Sequence, residues 1–206
     1  NFEATNKAIY ETVKKVKENA ILLGGDHSIT YSAVKAFSEL HENAGVLMID
    51  AHPDCESDFE PQTHEDFIQG IVNQNIIKKE NIILLGIRNW HIDEEAYLKK
   101  HNITYITMKE ISKQGLDIIL KTITPRISQW NSLYLSLDID AIDPAFAPGT
   151  GYPEPCGLTS REFLKVIQHI KQLSNLKMMD LVEINIRVDL NSMTVKLGAK
   201  IVKELL

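Results

Sequence analysis

Short, nearly unbroken apolar runs alternate along the chain with stretches whose apolar residues return every three or four positions. Six runs read as strands: Ala20–Leu23, Gly45–Ile49, Ile82–Ile87, Ile103–Ile106, Leu133–Leu137 and Lys177–Val182. Runs this short and this continuous fit strands buried on both faces. Helical patterns lie between them. Phe163, Val166, Ile167 and Ile170 share one helix face, after Thr159 as N-cap with Glu162 three residues on. Val195, Ile201, Val202 and Leu205 suggest a closing helix, and the stretch from Asn1 to Lys15 is polar and helix-like. Strands alternating with helices predict an α/β fold around a mainly parallel sheet. No repeat or Gly/Ser-rich linker interrupts the pattern, so residues 1–206 read as a single domain.

Three of the apolar runs end directly in polar residues. They continue as Gly24-Gly25-Asp26-His27-Ser28, as Asp50-Ala51-His52-Pro53-Asp54, and as Asp138-Ile139-Asp140-Ala141-Ile142-Asp143-Pro144. Ligands of open parallel sheets bind beyond the carboxyl ends of the strands. That rule gathers His27, Asp50, His52, Asp54, Asp138 and Asp140 along one rim. Residues i and i+2 of an extended chain point the same way, so each segment can offer several donors to one point. Four carboxylates so close resist ionising unless cations neutralise them. Two divalent ions balance four aspartates, and oxygen and imidazole donors without a required thiolate favour Mn²⁺. Each segment alone has a plainer reading. The glycine turn could be capped by Asp26, Asp-x-His could cap a strand end, and Asp-x-Asp before Asp-Pro could be turn chemistry. Their joint occurrence at three strand ends is what favours metal.

The chain has 206 residues, 44% hydrophobic and 24% charged, enough to bury a core, and excludes a disordered or low-complexity protein. No apolar run is long enough for a membrane-spanning helix. Net charge is −6, and it is local. Between Ala36 and Ile77 there is no Lys or Arg but nine acids, among them Glu56, Asp58, Glu60 and Glu65. Elsewhere 22 basic residues face 19 acidic ones. That distribution disfavours nucleic acid, and no Walker-type loop is present. Cys55 and Cys156 make no disulfide framework, and no leader pattern opens the chain; both suggest a cytoplasmic protein.

GGDHS, DAHPD and SLDIDAIDPAFAPGTG together resemble the signatures of the ureohydrolase family, the arginases and agmatinases, and PEPCGLTSRE and DLVEIN also fit. The resemblance runs from about Ile21 to the C-terminus. It implies a three-layer αβα domain, with a further N-terminal segment that would precede Asn1. It assigns His27, Asp50, Asp54 and Asp138 to one Mn²⁺, and His52, Asp50, Asp138 and Asp140 to the other. A hydroxide held between the ions would attack the guanidinium carbon, giving urea and an amine. Asp54 would pass a proton to the leaving amine, His64 would shuttle protons, and Glu183 would pair with the guanidinium. Family members are commonly trimers or hexamers, so a homo-oligomer is expected.

The departures lie near the substrate. Tyr152 replaces a small hydroxyl residue, Cys156 replaces a common glycine, and Asn185-Ile186-Arg187 lacks a proline. His41, His91, His101 and His169 read as surface residues, Asp26 and Asp143 as turn formers, Cys55 as a packed thiol, and Gly149, Gly151 and Gly157 as loop glycines. The acidic loop before His64 would repel a carboxylate tail and accept a cationic one. The expected reaction is therefore agmatine to putrescine and urea. Arginine, guanidinobutyrate or formiminoglutamate as substrate, or a catalytically silent subunit, are the alternatives.

Overall fold

A computed structural model describes residues 2–16, 19–57 and 59–206. At its centre six strands form one sheet, parallel at every pairing. They are β1 (Ala20–Leu23), β2 (Ala44–Ile49), β3 (Ile82–Ile87), β4 (Thr104–Thr107), β5 (Ser132–Asp138) and β6 (Leu176–Val182). All six lie where the apolar runs predict, to within one residue at each end. Asn1 and Asp58 lie outside the described residues.

Among the described residues eight α-helices cover the two faces. Helices α1 (Phe2–Val13), α2 (Ile29–Leu40), α3 (Phe67–Asn73) and α4 (Ile92–His101) pack on the face bearing Val46, Met48, Ile82 and Leu84. Helices α5 (Met108–Gln114), α6 (Leu116–Ile127), α7 (Ser160–Ile170) and α8 (Met193–Leu205) pack on the face bearing Leu47, Ile49, Ile83 and Leu85. The alternation of successive strand residues between two helical layers is why the strands carry no polar face. It is the expected αβα sandwich. Thr159 and Glu162 close a capping box on α7, and all four predicted apolar residues of that helix are buried. In α8, Ile201 and Leu205 are buried, but Val195 faces solvent; Thr194 and Gly198 take inner positions instead. None of the described helices is long and apolar enough to cross a membrane.

The strand order is β1-β6-β5-β2-β3-β4. From β2 the chain winds outward through β3 to β4, whereas β5 lies on the other flank of β2 and leads to β6. The winding reverses between β2 and β5, the place where such sheets open a crevice. The ladder there pairs Ile49 with Leu137, so Asp50 and Asp138 leave the sheet side by side.

Beneath this crevice β6 carries a fully buried acidic side chain. Asp180 accepts hydrogen bonds from Thr30 Oγ1 and Tyr134 OH at 2.7 Å and from Ser136 Oγ at 2.8 Å. The Leu137 amide adds a fourth at 3.3 Å. A buried carboxylate needs such donors, because each unsatisfied polar group costs a desolvation penalty. Asp180→Leu strands the Thr30 and Tyr134 hydroxyls in the core and leaves Ser136 only His27, and should destabilise the chain by about 3 kcal/mol or more in urea unfolding; a loss below about 1 kcal/mol would contradict this account.

Candidate metal centre

The six rim residues converge. His27 lies in the turn between β1 and α2, Asp50 directly follows β2, and His52 and Asp54 lie in the loop beyond it. Asp138 ends β5, and Asp140 sits in the single helical turn Ile139–Ala141. Nδ1 of His27 is 2.9 Å from Asp54 Oδ2, 3.1 Å from Asp50 Oδ2 and 3.3 Å from Asp138 Oδ2. Nδ1 of His52 is 3.1 Å from Asp140 Oδ2 and 3.6 Å from Asp50 Oδ1. Among the described residues two groups have donor atoms close enough to hold one ion each: His27, Asp50 and Asp138, and Asp50, His52 and Asp140. Asp50 belongs to both. Asp138 falls in the first only, and Asp54 approaches the first group through His27.

Local bonds fix these side chains. The His52 amide donates to Asp50 Oδ1 at 2.7 Å, and the Asp140 amide to Asp138 Oδ1 at 2.8 Å. The Ala51 amide donates to Asp140 Oδ1 at 3.1 Å. Nε2 of His27 meets Ser136 Oγ at 2.8 Å, and Ser136 in turn donates to Asp180. His27 also packs on Phe67, with ring centroids 4.5 Å apart.

The electrostatics are those of a cluster built for cations. All four aspartates are buried, and among the described residues none has a Lys or Arg in ion-pair contact. Burial, and then the charge of Asp50, push Asp54 up to about 8. Burial and the neighbouring aspartates likewise raise Asp138 and Asp140. Burial opposes charge on His52, but Asp140 and Asp50 override it and lift the imidazole to about 12. His27 is raised against burial by Asp138, Asp50 and Asp54. Burial opposes ionisation of Asp50, but the two neighbouring imidazoles outweigh it, and of the four aspartates Asp50 alone is lowered. Nδ1 of His27, Oδ2 of Asp50 and Oδ2 of Asp54 are buried and make no hydrogen bond among the described residues. Orphaned donor atoms aimed at one another are what a divalent cation would satisfy, so the residues fit a metal pair.

The remaining predicted residues line the same cleft, of about 190 Å³. Glu183 follows β6, and one of its oxygens accepts from the His27 amide at 2.7 Å. Burial raises its pKa, against the pull of that amide. His64 is half-buried and stacks on Tyr152, with centroids 5.9 Å apart. Asp54 and Glu183 both adopt the left-handed backbone, at φ +49° and +62°, a conformation costing roughly 1–2 kcal/mol in a residue with a side chain. Cys156 is left-handed too, which accounts for the glycine expected there. Asp26 and Asp143 accept backbone amides two residues on, as turn formers do. Buried Cys55 has its thiol pushed up by burial and is turned toward the Glu94 carbonyl.

Some features escape the sequence reading. Trp90, His91 and Glu94, at the start of α4, form one wall of the cleft, so His91 is a cleft residue and not merely a surface one. His41 and His169 are half-buried with partners, Ser132 and Thr124. No spacing rule links α4 to the aspartates. Asp180 did leave a signal: a lone acid inside an apolar strand must have buried partners.

The fold and this cluster together define a parallel α/β domain with a candidate metal centre at its switch point, and the comparisons identify its family. The arginase family profile matches residues 1–206, and the chain belongs to that family. An arginase of Staphylococcus aureus is 33% identical over 97% of this chain and 72% of its own. The formimidoylglutamase of Bacillus subtilis is 33% identical over 88% of this chain and 58% of its own. The crystal structure of arginase from Bacillus subtilis superposes with a TM-score of 0.93 at 27% identity, over all of this chain and 79% of that one.

Ligation requires the rim groups to lose their protons. Burial and the charge of Asp50 raise Asp54, and Asp140 and Asp50 raise His52 against its burial, so both favour their protonated forms in the metal-free chain. Binding must therefore release protons, and affinity must rise with pH. Titration calorimetry with Mn²⁺ in two buffers of different ionisation enthalpy should give different heats; identical heats would contradict the assignment.

Proposed function

We propose that the chain hydrolyses a guanidino compound with a cationic tail, agmatine foremost, to putrescine and urea, using two Mn²⁺ ions. The observation that carries this reading is the pair of donor groups sharing Asp50 at the foot of a cleft. His27, Asp50, Asp54 and Asp138 would hold one ion, and His52, Asp50, Asp138 and Asp140 the other. Bound there, the ions supply a water of lowered pKa and neutralise the aspartates. Glu183 receives the guanidinium, for which a carboxylate is a matched partner. Asp54 gives a proton to the departing amine nitrogen, and His64, at the cleft mouth, relays protons to solvent. Both cysteines are free thiols, which supports a reducing, cytoplasmic setting.

Glu56 and Glu65 line the cleft, Glu94 backs its wall, and no Lys or Arg lines it among the described residues. Such walls favour a terminal ammonium over a carboxylate. Glu60 does not line the cleft, so it makes no direct contact with a tail bound there. The second reading is an amino-acid substrate, favoured by relatives named arginase and formimidoylglutamase.

Urea release from agmatine, arginine and guanidinobutyrate, with formamide release from formiminoglutamate, separates these readings. A clear preference for arginine would overturn the tail assignment. Asp140→Ala should abolish turnover with circular dichroism unchanged, and persisting turnover would refute the metal mechanism. His64→Ala should lower kcat by about 100-fold with KM little changed. Glu183→Gln should lower kcat/KM by roughly 10-fold or more, through the lost charge-assisted bond.

A further inference from the structure

Arg88 follows β3, and its guanidinium, half-buried, meets no carboxylate among the described residues. It donates instead to main-chain carbonyls. Nη2 reaches the Asp140 and Glu154 carbonyls at 2.6 Å, Nε reaches Pro155 at 3.0 Å, and Nη1 reaches Ala141 at 3.4 Å. The backbone of the same segment holds the other ligand loop. The amides of Arg88 and Asn89 both donate to the Ala51 carbonyl, at 2.9 and 3.1 Å. The Ala51 peptide is thereby gripped on both sides, since its own amide donates to Asp140 Oδ1. Gly157 leaves room for the fork: a Cβ there would lie 2.7 Å from Arg88 Nη2.

We infer that Arg88 is the positioning residue of the His52–Asp140 half of the centre. It ties the loop after β2 to the turn after β5 without occupying a carboxylate oxygen. Asp140 keeps Oδ1 on Ala51 and turns Oδ2 to His52. A lysine offers one compact donor point and cannot span these carbonyls. The His27 half is braced by other groups, Ser136, Asp180 and Glu183, so the two halves should respond separately. This inference rests on the two-ion reading above.

The test uses the full chain, stripped with chelator and titrated with Mn²⁺, with bound metal counted by mass spectrometry and coupling between ions read by electron paramagnetic resonance. Wild type should bind two coupled ions. Arg88→Met and Arg88→Lys should keep one ion at wild-type affinity and bind the second 10–100-fold more weakly, the range for residues that orient ligands. Their one-ion spectrum should match that of Asp140→Ala. Two ions at wild-type affinity in either folded variant, or equal weakening of both ions, overturns the inference. If Arg88→Met does not fold, Arg88→Lys decides. A wild type that binds fewer than two ions overturns the two-ion reading itself, a failure distinct from any result on the variants.

Discussion

Everything at the functional end of this molecule answers to the repulsion among four aspartates buried in one crevice. Isolated carboxylates do not stay ionised in such surroundings, and here no lysine or arginine pairs with them among the described residues. The metal-free chain resolves the conflict by sharing protons between acids and imidazoles. Divalent cations resolve it more completely, because they satisfy the orphaned atoms as well as the charge. Ligand geometry, proton inventory and the requirement for a rigid frame are consequences of that one conflict.

The frame is supplied by main-chain ladders. β2 and β5 are hydrogen-bonded neighbours along their length, so the separation of Asp50 from Asp138 is set by strand spacing. β1 and β6 extend the same logic to His27 and Glu183, whose loops meet through the bond from Glu183 N to the Gly25 carbonyl at 2.9 Å. The segment from Ala51 to Asp54 and the turn at Asp140 run beyond the strand ends. There a chain of amide–carboxylate bonds takes over from the ladder.

The legibility of the sequence follows the same division. The inner strands β2, β3, β5 and β6 are buried and announce themselves as apolar runs; the edge strands β1 and β4 are only partly buried but were readable too, because their runs are also apolar, and so were the rim residues that interrupt those runs. Thr159 and Glu162 were readable because a capping box is local. The wall made by Trp90, His91 and Glu94 was not, because its place depends on how α4 docks against a distant loop. Arg88 was unreadable for a related reason: its partners are carbonyls, which every residue possesses. Val195 misled because a helical period fixes a stripe without fixing which neighbouring position faces inward. The glycines were expected for their conformational freedom, but Gly157 serves by lacking bulk.

Asp54 and Glu183 carry their carboxylates on left-handed backbone. Glycine would relax both turns, so a chain chosen for heat resistance alone would discard the two groups nearest the chemistry. At these positions durability and usefulness pull the sequence in opposite directions, and the tension is written into two torsion angles.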